Sequence, residues 1–177
     1  MLVNKNLIAY LAVGIFLIIL GYELFYSKPH EIPSPLIGEA LPSFKLNTIN
    51  KQGILSNKSL PHRPLLINIW ATWCYACQIE YPQLMKIARD EHTPIYSIVY
   101  KDNAAKVQQW FKKYGNPYVL TGDDANGNVA IDLGVYGTPE TFVIDANGKV
   151  VYKHIGVIDS NTWNNILKPL LRKLSSQ

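Results

Sequence analysis

The sequence predicts an α/β fold, one mixed sheet flanked by helices on both sides, with an N-terminal transmembrane helix ahead of it. Three observations predict this. The run Leu65-Leu-Ile-Asn-Ile-Trp70 is nearly continuous in apolar residues, as a central parallel strand buried on both faces must be. Further strand-like and helix-like periods then alternate along the chain, which closes with two strands about Asn147-Gly148 and a last amphipathic helix. At the other end, Leu7 to Tyr22 contains no charged residue.

That N-terminal tract stays apolar past Glu23 through Leu24, Phe25 and Tyr26. Spanning a bilayer takes about 20 residues, which the tract reaches with Glu23 at the interface and Tyr22 and Tyr26 as interfacial aromatics. A cleaved signal would show a shorter apolar core and a small-x-small cleavage site, whereas Glu23-Leu-Phe-Tyr-Ser-Lys follows here. We therefore expect an uncleaved membrane anchor over residues 1–26. Lys5 and the terminal amine precede the span, and Glu23, Lys28 and Glu31 follow it, which places the N-terminus inside and the domain outside. Residues 27–42, with Pro29, Pro33, Pro35 and Pro42, read as an extended tether, and the folded domain as residues 36–177.

Within the domain, Phe44 to Ile49 alternates as an exposed strand, Asn50 to Gly53 turns, and Ile54-Leu55 pairs back. After the Leu65–Trp70 strand a helix runs through Tyr81, Leu84, Met85 and Ala88 with Pro82 inside it. Pro94 to Tyr100 is a second apolar strand, and Ala104, Val107, Trp110, Phe111 and Tyr114 recur at helical spacing as a crossover. Asn116 to Leu120 reads as a short strand and Asn126 to Leu133 as a short helix. Glu140 to Asp145 and Lys149 to His154 form an antiparallel pair around Asn147-Gly148. The last helix carries Trp163, Ile166, Leu167, Leu170, Leu171 and Leu174, capped near Ser160 or Asn161 and bent at Pro169.

The only two cysteines, Cys74 and Cys77, lie between the central strand and the helix after it. Open α/β sheets place their sites at this carboxyl end of a strand. Two intervening residues allow a disulfide, and a helix N-terminus lends the first thiolate partial positive charge. A cross-link so short constrains the unfolded chain very little, so the pair is expected to be chemical, a reversible dithiol/disulfide. Zinc would need two further ligands, and His30, His62, His92 and His154 are dispersed, so we expect no metal and no cofactor. The formal charge of +4 and the pI near 9.0 come from scattered lysines with no basic block, so no nucleic-acid partner is expected.

This order of elements, with Cys-x-x-Cys at the first strand–helix junction, resembles the thioredoxin fold over roughly Leu36 to Leu174. Trp70 and Trp73 stand where that family has its active-site tryptophans, Pro82 at its helix kink, and Thr138-Pro139 at its cis-proline. The phrases Gly134-Val-Tyr-Gly-Thr-Pro-Glu-Thr141 and Gly115-Asn-Pro-Tyr118, Glu80 three residues beyond Cys77, and the anchor are similar to the DsbE/CcmG group of anchored periplasmic thiol:disulfide oxidoreductases. The resemblance implies a single-pass protein of a bacterial inner membrane with its catalytic domain in the periplasm. It also implies delivery of reducing equivalents to the Cys-x-x-Cys-His of apocytochrome c, or to a maturation protein handling it, and re-reduction by a membrane electron donor.

On this reading Cys74 is the nucleophile and Cys77 resolves the mixed disulfide. Thioredoxins carry a buried acid six residues before the first cysteine, and Asn68 stands there instead, so Glu80 and Glu140 become the candidate bases. Thr138 and Pro139 are expected to dock an extended substrate strand, with Trp73, Tyr75 and Tyr136 as an aromatic rim. The alternatives are a thiol oxidase or general disulfide exchange protein of the same fold, and a non-redox apocytochrome chaperone. The sequence leaves the direction of electron flow open.

Overall fold

The computed structural model describes residues 5–26 and 34–176. The chain divides into two compact units, Met1–Pro33 and Ser34–Gln177. Lys28, Pro29, His30, Glu31 and Pro33, which the sequence reading used for orientation and tether, lie outside the described residues.

In the first unit, helix α1 covers Lys5–Tyr26 and ends with Tyr22 stacked on Tyr26 at 5.0 Å between centroids. Its large apolar side chains, Phe16 and Ile18 among them, are exposed. Among the described residues no helix is long and apolar enough to cross a membrane.

In the second unit, strands β1 (Lys45–Asn47) and β2 (Ile54–Ser56) pair antiparallel, and Asn50 and Thr48 stitch the turn between them. Five strands follow: β3 (Leu65–Trp70), β4 (Ile95–Tyr100), β5 (Thr121–Asp124), β6 (Glu140–Ile144) and β7 (Val150–Ile155). They form one mixed sheet in the order β5-β4-β3-β6-β7, with β3 parallel to β4 and antiparallel to β6. Every residue of β3 is buried, which explains its apolar run. Residues 34–42 lie along the β6–β7 hairpin, where the Gly38 N–H donates to the Val150 carbonyl and the Leu41 N–H to the Gly148 carbonyl.

Helices α2 (Tyr75–Asp90) and α3 (Ala104–Tyr114) are the crossovers from β3 to β4 and from β4 to β5. Both crossovers step the same way across the sheet, so right-handed connections put both helices on one face. The last helical stretch joins them there: α2, α3, Trp163, Leu167 and Leu171 share one core with Leu66 and Trp70. Helices lie on both faces of the sheet, as expected from the sequence, with most of them on this one. The opposite face, carrying Leu65, Ile67 and Ile69, is covered by β1, β2 and the short α4 (Asn128–Asp132).

Two expected details are corrected. The segment Asn116–Leu120 is not a strand; an Asn116 side chain accepting the Tyr118 N–H bends it, and the strand begins at Thr121, opposite Ser97. The last helix is capped by Asp159, whose carboxylate accepts the Thr162 N–H, and not by Ser160 or Asn161. It runs as α5 (Ser160–Thr162), a π-helical turn (Trp163–Leu167) and α6 (Lys168–Ser175). Pro169 has no N–H to continue an α-helical ladder, and the wide turn directly precedes it.

Candidate redox site at the head of helix α2

Cys74 is the N-cap of α2, in extended conformation after β3 ends, and Cys77 lies in the first turn. The two are joined as a disulfide, with Cα atoms 5.3 Å apart. The Cys77 N–H points at Cys74 Sγ from 3.1 Å, one of the backbone donors that a helix start leaves without an internal partner. On reduction that donor and the helix dipole favour a thiolate at Cys74. Neither cysteine is widely open, but Cys74 is 5% exposed against 2% for Cys77.

The β3–β6 register brings the second side of the site into place. Ile69 faces Glu140, so the residues just before β6 lie beside those just after β3. The Thr138–Pro139 bond is cis, and the Thr138 carbonyl oxygen is 3.3 Å from Cys74 Sγ. Pro139 is buried and its carbonyl accepts the Gly156 N–H, which leaves half-buried Thr138 and exposed Gly137 and Tyr136 facing outward. Trp73 and Tyr75 are exposed on the other side. Trp73 Nε1 donates to the Lys101 carbonyl at 3.1 Å, and both the N–H and hydroxyl of Thr72 donate to Asp102. The β4–α3 loop thus braces the approach to Cys74. Trp70, by contrast, is core: it packs among Tyr81, Trp110, Phe111 and Tyr118.

Glu80, one turn beyond Cys77, is 1% exposed. Its Oε1 accepts from Asn68 Nδ2 at 2.8 Å and its Oε2 from the Ile158 N–H at 2.8 Å. Asn68 in turn donates to Thr141 Oγ1 and accepts the Tyr118 hydroxyl. Burial outweighs these two donors and raises the Glu80 carboxyl to about 7. Asn68, which stands where thioredoxins carry their buried acid, thus hydrogen-bonds the acid expected to act in its stead. Glu140, fully buried, is ion-paired to Lys153 Nζ at 2.8 Å and accepts the Tyr136 N–H.

Sequence reasoning missed Tyr118, Ile158, Thr141 and Lys153. Tyr118 lies inside a phrase already singled out, and its hydroxyl in a buried-looking segment was the available signal. Ile158 acts through its backbone N–H, for which a side-chain pattern carries no signal. A cavity of about 380 Å³ lies at the opposite end of the sheet, between Arg63, His92, Lys168 and Arg172. The exposed Trp73, Tyr75 and Tyr136 around the nearly buried disulfide offer an apolar surface of the kind a macromolecular partner covers.

A family-wide sequence profile described as Redoxin matches residues 36–168. The thiol:disulfide interchange protein DsbE of Pseudomonas aeruginosa is 40% identical over 173 residues, covering 96% of each chain. The protein of that name from Vibrio cholerae is 39% identical and covers 97% of this chain and 94% of its own. Among solved structures, a thio-disulfide isomerase from Thermus thermophilus superposes with a TM-score of 0.61 at 29% identity, covering 80% of this chain and 96% of that one.

Proposed function

The chain belongs to the Redoxin family, within its DsbE thiol:disulfide interchange group, and is a thiol:disulfide oxidoreductase; from that premise we propose that it works as a membrane-anchored periplasmic reductase of apocytochrome c disulfides. The observation that carries the reading is the Cys74–Cys77 pair at the head of α2, with the Cys77 N–H directed at Cys74 Sγ.

The reduced Cys74 thiolate attacks one sulfur of a substrate disulfide. A Cys74–substrate disulfide forms and the substrate's other sulfur leaves as thiolate. Cys77 then loses its proton and attacks Cys74 Sγ, which releases the second substrate sulfur and regenerates the Cys74–Cys77 disulfide. Two electrons pass from the two cysteines to the substrate, whose departing thiolates take up their protons from water. Glu80, with its carboxyl near neutrality, takes the Cys77 proton. Trp73, Tyr75, Tyr136 and Thr138 form the docking surface, which the buried cis Pro139 shapes from beneath and where an extended peptide pairs with the Thr138 backbone.

The apocytochrome substrate rests on the resemblance to the DsbE/CcmG group, and the relatives named thiol:disulfide interchange protein DsbE support disulfide exchange itself. The anchor is supported by the charge-free apolar run Leu7–Tyr22 in the sequence. A membrane-associated dithiol protein supplies the electrons for re-reduction.

Equilibration of the Cys74–Cys77 pair with glutathione tests the direction. A potential nearer thioredoxin, roughly −270 mV, is expected, and one near DsbA, roughly −120 mV, would make the protein an oxidant. Cys77→Ser should accumulate a mixed disulfide through Cys74. Adducts that contain neither an apocytochrome nor a maturation protein would remove the proposed substrate.

A further inference from the structure

We propose that Lys153 is a positioning residue for substrate docking, whose buried ammonium fixes the loop 134–140 in the shape that receives an extended polypeptide beside Cys74. The proposal rests on the reading of this protein as a reductase of polypeptide disulfides.

Lys153 lies on β7 with its side chain 2% exposed. Its Nζ donates to the Gly134 carbonyl at 2.7 Å and is ion-paired with Glu140 Oε2 at 2.8 Å, at the two ends of the loop. It also sits 4.1 Å from the centroid of the Tyr136 ring. A carbonyl, a carboxylate and an aromatic face thus surround the ammonium, one by hydrogen bond, one by charge and one by its ring electrons. Glu140 completes the clamp, because its Oε1 accepts the Tyr136 N–H at 3.2 Å. One cation and one anion thus hold the loop at its start, near its middle and at its end.

What the clamp leaves outside it is the docking edge. Gly137 and the Tyr136 ring are exposed, and the Thr138 carbonyl is 3.3 Å from Cys74 Sγ. A peptide that adds as a strand needs those backbone groups aligned before it arrives, since ordering a loop on binding lowers affinity. A buried ion pair is weak in net stability against an apolar pair of similar volume, so fixed geometry is the better account of this one. The Tyr136 ring, held on the ammonium, is presented toward the partner for the same reason.

The test uses the full chain in detergent, pre-reduced and mixed with an oxidised peptide containing Cys-x-x-Cys-His, or with hydroxyethyl disulfide, which has no backbone to dock. Lys153→Met should raise the half-saturating peptide concentration about tenfold while the limiting rate falls far less. Its reaction with hydroxyethyl disulfide should shift by less than about twofold, and Lys153→Arg should restore peptide saturation. If Lys153→Met does not fold, Lys153→Gln keeps a donor for the Gly134 carbonyl and carries the same readout. Unchanged peptide saturation would overturn the proposal, as would loss of fold in both variants, which would make the lysine purely structural. A wild-type protein that reduces hydroxyethyl disulfide but not the peptide would instead overturn the polypeptide-reductase reading.

Discussion

Two carboxylates are buried beside one disulfide, and their surroundings give them opposite chemistry. Glu80 hangs from α2 among neutral partners, the Asn68 amide and the Ile158 N–H, and burial lifts its carboxyl to about 7. Glu140 begins β6 and faces the Lys153 ammonium at 2.8 Å. The first holds a proton loosely at neutral pH and is suited to exchange one with a thiol. The second is half of an ion pair and is suited to hold a loop still. The sequence pooled them as candidate bases because a glutamate shows its residue type there and not its partner.

The largest expected effect comes from breaking the ion pair on one side only. Lys153→Met leaves Glu140 as a buried charge without its counter-ion and should cost about 3–5 kcal/mol in denaturant unfolding. Adding Glu140→Gln removes that charge and should recover most of the loss, giving strong non-additivity. Glu80→Gln keeps a neutral hydrogen-bonding group among neutral partners and should cost far less. Equal costs for Lys153→Met and Glu80→Gln would erase the distinction between the two acids.

The next effect is a pH dependence that belongs to Glu80. Its native carboxyl titrates near 7 and its unfolded carboxyl near 4.5, so between those values the native state holds more of the proton. Stability from this group is therefore fully present below about pH 4.5 and is lost as pH rises through about 7. At about 1.4 kcal/mol per unit, the whole window amounts to roughly 3 kcal/mol. Unfolding of the oxidised protein followed from pH 4 to pH 8 should show that decline, and Glu80→Gln should flatten it. A decline that persists in Glu80→Gln would assign the titration to another group.

Features set by local patterns were legible in the sequence. The Leu65–Trp70 run marked the central strand, the Cys-x-x-Cys spacing marked the reactive pair, and Asn147-Gly148 marked the β6–β7 turn. Features set by register or distant contact were not. A bulge at Val143/Ile144 pairs Ile144 with Val150 but Phe142 with Lys153, so Lys153 falls in phase with buried Val150, against simple alternation. A strand period alone assigns that lysine to the wrong face. Glu80 meets Ile158 across 78 residues and Tyr118 meets Asn68 across 50, and no window of sequence holds either pair. How many helices each face receives follows from strand order, which periodicity does not encode.

The smallest expected effect probes how the neutral partners of Glu80 are held. Both Asn68 Nδ2 hydrogens are used, on Glu80 Oε1 and Thr141 Oγ1, so Asn68 Oδ1 is left for the Tyr118 hydroxyl at 3.0 Å. Burial keeps that hydroxyl protonated, and hence a donor, well beyond the ordinary tyrosine range. Tyr118→Phe strands Asn68 Oδ1 in the core and should cost about 1–2 kcal/mol. It also frees the amide to turn its oxygen toward Glu80, an arrangement that only a protonated carboxyl can satisfy by donating. The Asn68 donor holds the Glu80 carboxyl down, so its loss should move the Glu80 titration upward in carboxyl NMR. Stability loss with an unmoved titration would mean that Glu80 and Thr141 orient Asn68 without Tyr118. An upward move would make Tyr118, through Asn68, a setting on the proton affinity of Glu80, a control that the ion-paired Glu140 does not have.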